Sequence, residues 1–120
     1  PHVVIFESAL DVLDLVAVAA QLQPLFPDGV NVHLAVVLDE QTLDVRHWER
    51  GVGMTQACGT GAAACAAAAI HLDMAQSPVE VRVPGGVLTI EWDGAHEAFL
   101  SGPAVRVFDT NIAAWHASPV

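Results

Sequence analysis

Gly59-Thr60-Gly61-Ala62-Ala63-Ala64-Cys65-Ala66-Ala67-Ala68-Ala69-Ile70-His71-Leu72-Asp73-Met74 reads as one helix, and its composition decides the fold. Alanine is the best helix former. Apolar side chains on every face mean that the helix is buried on most sides. Small side chains also let strands approach it closely. The flanking sequence supplies those strands. Val3 to Phe6 is short, β-branched and aromatic. Val30 to Leu38 and Leu43 to Trp48 pair through Asp39-Glu40-Gln41-Thr42 as a hairpin. Val79 to Val83 and Val87 to Trp92 flank the turn Pro84-Gly85-Gly86. Ala98 to Ser101 and Ala104 to Phe108 add two further short strands. Leu10 to Leu22 has helical apolar spacing, with Asp11 and Asp14 in its first turn. The expected fold is α/β (α+β): a mixed, mostly antiparallel sheet curled around a central small-residue helix, with a second helix outside. Residues 1–120 form a single domain in this reading, with no internal repeat.

Composition narrows the function. The chain has 120 residues, 53% of them hydrophobic, which is enough for a real core. Its formal charge is −10, and its only basic residues besides histidine are Arg46, Arg50, Arg82 and Arg106. Nucleic acid and anionic membrane surfaces are therefore poor partners. Cys58 and Cys65, on one helix, would stand ~10 Å apart along its axis, beyond disulfide reach. A reducing cytoplasm fits that pair. His33, His47, His71, His96 and His116 match no metal-ligand spacing and are expected as surface or core residues, so no metal is expected. The start, Pro1-His2-Val3-Val4, has neither Met nor a basic leader region. It is expected to be an internal point of a longer chain.

Immediately before the helix stands Glu49-Arg50-Gly51-Val52-Gly53-Met54-Thr55-Gln56-Ala57-Cys58. A carboxylate, a guanidinium and a thiol thus lie at a helix start. That position offers free backbone N–H groups and the positive end of the dipole. A cysteine there is more readily ionised. The N–H groups of Gly59 and Thr60 suit a carboxylate or a developing negative charge. On these residues alone, a buried inert cysteine with Thr60 as helix cap fits as well. A phosphate-binding loop fits less well, because the Walker pattern and its lysine are missing.

Glu49 to Ala62 resembles the second active-site signature of the diaminopimelate epimerases. Three further stretches are similar to that family. Pro1-His2 looks like the tail of its Asn-Pro-His motif, and Phe26-Pro27-Asp28-Gly29-Val30-Asn31-Val32 matches its Phe-Pro-x-Gly-x-Asn-Val segment. Ser101 to Phe108 looks like its closing strand. The resemblance covers nearly the whole chain. It implies half of a two-domain isomerase that needs no cofactor and acts on a small amino acid. Two cysteines, one from the start of each domain's central helix, exchange the α-proton of LL-diaminopimelate to give the meso form. The chain resembles only the C-terminal domain, and the N-terminal domain, the partner that carries the other cysteine, is not in it.

The same resemblance assigns roles. Cys58 is the acid/base thiol. Glu49 lies near it and near a substrate ammonium. Arg50 grips the distal carboxylate, where its fork suits two oxygens. Asn31 donates to that same end, Gly59 and Thr60 hold the near carboxylate, and His2 helps to position or activate the other domain's cysteine. A homodimer is compatible with the family. Met54 departs from the pattern, which commonly has Glu there, and Cys65 is expected as a small core residue that does not replace the second thiol. A proline or hydroxyproline racemase shares the Cys-Gly-Thr-Gly logic, but Glu49-Arg50-Gly51 and Phe26 to Val32 argue against it. The rival of another class is a non-catalytic α/β binding module.

Overall fold

The computed structural model describes residues 1–112. Strand β1 (His2–Phe6) is followed by helix α1 (Leu15–Leu22) and a single 3₁₀ turn at Gln23–Leu25. The hairpin β2 (Asn31–Asp39) and β3 (Thr42–Glu49) comes next, then β4 (Gly53–Thr55) and helix α2 (Gly59–His71). Strands β5 (Val79–Val83), β6 (Gly86–Glu91) and β7 (Phe99–Ser101) complete the fold. The sheet runs β1-β2-β3-β5-β6-β7, with β4 on a side branch against β3. β1 with β2 and β3 with β5 are parallel, and the other pairings are antiparallel. The expected mixed, mostly antiparallel sheet is what forms.

Period-two alternation divides the strands between the two helices. Ala35, Leu43, Val45, Val79, Val81 and Ile90 meet Ala62, Cys65, Ala66 and Ala69 of α2. α2 touches β1, β2, β3, β5 and β6, so the sheet curls around it. Alanines and a cysteine face that sheet because larger side chains would hold the strands away. On the opposite face Val30, Val32 and Leu34 pack with Leu15 and Ala19 of α1. None of the described helices is long and apolar enough to cross a membrane.

Four local readings need correction. The central helix ends at His71 rather than Met74, because Leu72 is its C-cap and Asp73 leaves the helical backbone at φ 57°. The first helix begins at Leu15 rather than Leu10, because the Asp14 carboxylate accepts from the Ala17 N–H and acts as N-cap. Asp14 is thus a cap, and no acid occupies the first turn. Residues 104–108 form no strand. They lie exposed, with Val105 at 83% and Val107 at 87%, because no sheet edge among the described residues receives their backbone. β4 was not anticipated. It is three residues long and lies between the positive-φ turn at Gly51 and the Gln56 loop.

Candidate active site

Cys58 is the N-cap of α2. Its backbone is extended (φ −142°, ψ 106°), its carbonyl accepts from the Ala62 N–H at 2.8 Å, and its Sγ accepts from the Gly61 N–H at 3.3 Å. The sulfur therefore performs the capping for which Thr60 was one candidate. The Thr60 hydroxyl stands 3.7 Å from the same sulfur. A helix start leaves its first N–H groups without intrahelical partners. Here Gly61 and Ala62 are satisfied by Cys58, and the N–H groups of Gly59 and Thr60 make no hydrogen bond to the described protein. The loop into Cys58 is held from outside. Gly85 N–H donates to the Gln56 carbonyl at 2.8 Å, so the β5–β6 turn fixes the approach to the thiol. Cys58 is buried, at 7% exposure.

A second group gathers at the adjacent corner of the sheet. Asn31 opens β2 beside His2 of β1, and Glu49 and Arg50 close β3. The Asn31 Oδ1 accepts from the Arg50 backbone N–H at 3.0 Å. One nitrogen of the Arg50 guanidinium donates to the Asp28 carbonyl at 2.7 Å. Gly29, at φ +73°, lets the Pro27-Asp28-Gly29 turn pass under this side chain. A Cβ there would stand 3.4 Å from Arg50 Cδ, in a backbone conformation that disfavours side chains. Asn31 and Arg50 are thus one unit. The asparagine carbonyl anchors the arginine backbone, and its amide stays free. Glu49 is half-buried. Desolvation, with Arg50 assisting, holds His2 below its ordinary value, and Glu49 only partly opposes that shift.

Two contributors escaped the sequence reading. The Gln23 side chain clamps Val30 in both directions. Its Nε2 donates to the Val30 carbonyl at 2.9 Å, and its Oε1 accepts from the Val30 N–H at 3.0 Å. This fixes the segment that presents Asn31. His33 and His47 are core residues, as one of the two expectations allowed, but they also join the site. His33 Nε2 lies 2.8 Å from His2 Nδ1, and His33 Nδ1 lies 2.8 Å from His47 Nδ1. The His33 ring presses on Gly61, where an added Cβ would fall 2.5 Å from its Cε1. Strand parity was the available signal, since His33 and His47 share the α2-facing parity of Ala35 and Val45.

The surroundings separate the two thiols. Burial, with a smaller contribution from Cys58, pushes the Cys65 thiol up to about 12, which leaves it an inert core group. His71 and His96 are exposed, and His116 lies outside the described residues. Met54 is 48% exposed on β4, so a glutamate at this position would need no buried partner here.

A profile of the diaminopimelate epimerases matches residues 1–107. The chain belongs to the diaminopimelate epimerase family. It is 49% identical over 111 residues to the diaminopimelate epimerase of Sphingopyxis alaskensis, a span of 91% of this chain and 41% of that protein. It is 45% identical over 121 residues to that of Rhizorhabdus wittichii, covering 98% of this chain and 44% of the relative. The corresponding enzyme of Parabacteroides distasonis is 45% identical over 112 residues. The chain thus spans about two-fifths of the length of these diaminopimelate epimerases. Its sheet wrapped on a small-residue helix is the diaminopimelate epimerase-like fold.

Proposed function

We propose that this chain is the C-terminal domain of a cytoplasmic diaminopimelate epimerase of lysine and peptidoglycan biosynthesis. In this reading it supplies one of the two thiols that interconvert LL- and meso-diaminopimelate without a cofactor. The observation that carries the reading is Cys58 as the N-cap of α2, beside the free N–H groups of Gly59 and Thr60. An amino-acid α-proton is very weakly acidic, so the enzyme must stabilise a carbanion-like transition state. Donors already aimed at the α-carboxylate do this without reorganising during the reaction. Loss of one such donor typically costs about 3 kcal/mol of transition-state stabilisation. Cys58 exchanges a proton with one face of the α-carbon, and a thiol from the other domain serves the opposite face. Arg50, held by Asn31 and Asp28, takes the distal carboxylate with the part of its fork not spent on the Asp28 carbonyl. Glu49 faces the substrate ammonium.

Two thiols on opposite faces mean that the chain alone does not turn over. The test is alkylation of Cys58 by iodoacetamide, with buried Cys65 as internal control. Diaminopimelate should slow labelling of Cys58, and proline should not. Protection by proline would favour the racemase, and no protection by either the non-catalytic module. Net epimerisation by the isolated chain would overturn the two-domain assignment.

A further inference from the structure

Beneath the start of α2 a row of polar side chains crosses three strands. His2 stands on β1, His33 on β2 and His47 on β3, where His47 is the register partner of His33. Their nitrogens meet in pairs, both at 2.8 Å, and do not converge on a common point. The arrangement is therefore a hydrogen-bonded chain and not a metal-binding cluster.

A neutral imidazole carries one N–H and one lone pair, and each contact needs one of each. Only two neutral forms of the chain satisfy both contacts. In the first, His47 donates from Nδ1 to His33, His33 donates from Nε2 to His2, and His2 keeps its proton on the outward Nε2. In the second every proton sits on the other nitrogen. His2 then presents a bare Nε2, and His47 holds an N–H on its own Nε2. That His47 Nε2 is fully buried and has no partner. A buried N–H without an acceptor costs more than a bare lone pair, so the first form is the stable one. Neither buried ring readily takes up an added proton. Desolvation, reinforced by the neighbouring rings, holds His33 down to about 3. Desolvation likewise holds His47 down to about 4, with Glu49 opposing and His2 and Arg46 assisting.

We propose that His33 and His47 are positioning residues that fix the His2 imidazole as an outward hydrogen-bond donor, so that His2 serves the substrate corner through Nε2–H and not as a base. The proposal rests on the functional reading above for what His2 meets, but not for the state of the chain itself. For the role the family resemblance offers His2, it excludes proton abstraction by Nε2 and leaves an N–H that can position the second thiol or hold its thiolate. The His33 ring ties this device to the thiol, because it bears on Gly61, whose N–H holds Cys58.

Long-range proton–nitrogen NMR correlations on the isotope-labelled chain at neutral pH read each tautomer directly. His47 should appear as the Nδ1–H form, which is the minority form of a free imidazole, with His33 and His2 as Nε2–H forms. His47 found as the Nε2–H form overturns the proposal. His47→Asn keeps a donor where Nδ1 stood and should preserve both neighbours' tautomers. His47→Val leaves His33 Nδ1 without a partner, and by the same ranking of orphan groups His33 and His2 should keep their Nε2–H forms; a switch of His33 to the Nδ1–H form would overturn that ranking. Thr55, opposite His47 on β4, has a buried hydroxyl that likewise lacks a partner. Thr55→Val should leave all three tautomers as they are, and a switch at His47 would mean that the hydroxyl sets the chain instead. The wild-type spectrum decides even if a variant does not fold. None of these readouts uses substrate. Failure of diaminopimelate to protect Cys58 would therefore remove the functional reading and leave the histidine result standing.

Discussion

Cys58 and Cys65 lie on the same helix, seven residues apart in sequence and both buried, yet the two stretches of α2 that hold them rest on different floors. Cys65 belongs to the apolar cluster that includes Ala35, Leu43, Val45 and Val81, and the thiol is held in its neutral form. Around Cys58 the helix has just begun. Its N–H groups are unspent, and the row His2-His33-His47 lies beneath Gly61. One face of one sheet thus changes from dry to polar within two turns of helix. The dry part stabilises the fold through apolar burial. The polar part gives up some of that burial and, in the proposed reading, holds the groups that act on the substrate.

The strongest test of this contrast is exchange of each cysteine in turn. In the full-length enzyme, Cys58→Ala should lower turnover by roughly a thousandfold or more, the scale of losing a general acid/base. Cys65→Ala should leave kcat within about twofold and cost only the modest stability of a small packing defect. Equal losses would mean that Cys58 matters only for folding. Arg50→Lys comes next. The fork anchored on the Asp28 carbonyl is lost while the charge is kept, so KM for diaminopimelate should rise by roughly tenfold or more with a smaller change in kcat. Asn31→Ala should produce a smaller version of the same effect, because it frees the Arg50 backbone.

Gly61 and Gly59 carry the comparison into stability. A methyl on Gly61 would meet the His33 ring at 2.5 Å, and that ring is held at both nitrogens. Gly61→Ala should therefore destabilise the chain by about 1–3 kcal/mol, read by denaturant melts, even though alanine is the better helix former. A methyl on Gly59 would meet the tip of Leu100 at 3.3 Å, which is a flexible side chain that can move. Gly59→Ala should be neutral to slightly stabilising. If the two variants melt alike, the His33 contact does not constrain the helix start.

Much of this architecture was legible in the chain. The alanine tract announced a helix wrapped by a sheet, and alternation placed β2, β3, β5 and β6 within a residue or two. Glu49 to Thr60 marked a candidate site, which an inert buried cysteine explained as well until the resemblance at Phe26 to Val32 and Ser101 to Phe108 was added. What stayed hidden depended on distance in sequence. β4 is too short to show alternation, and its pairing is set by the Gly51 turn. Residues 104–108 have strand composition, but no edge among the described residues takes them up, and no local pattern records whether a partner edge is present. The histidines were scored for ligand spacing along the chain, whereas His2, His33 and His47 are neighbours across strands. Only the register makes them contiguous.

Acid should expose the polar floor before it reaches most of the carboxylates. Both buried imidazoles are held below their ordinary 6.5, to about 3 for His33 and about 4 for His47, with desolvation the first cause. The unfolded chain therefore binds more protons than the folded one between those values and 6.5. Stability is complete above about 6.5 and falls as the pH drops toward the folded values, by up to about 1.4 kcal/mol per pH unit for each imidazole. Asp93, kept near 2 chiefly by the His96 backbone N–H, adds its loss only below the ordinary carboxylate range. Urea melts at a series of pH values should show the decline, and His47→Val should flatten it. A flat profile in the wild type would place the two rings in contact with water.

The smallest expected effect lies just outside the contrast, at Met54. This side chain sits on edge strand β4 in register with Trp48 and is 48% exposed. Met54→Glu, the residue that the resemblance leads one to expect here, places a carboxylate largely in solvent. Surface substitutions of this kind typically stay within about 0.5 kcal/mol. The midpoint of urea unfolding should accordingly hardly move, and the tautomers of the histidine row should not change. A larger shift would show that the polar part of the sheet extends past His47 into β4. Thr55, with its unpartnered hydroxyl facing that row, would then be the residue that transmits it.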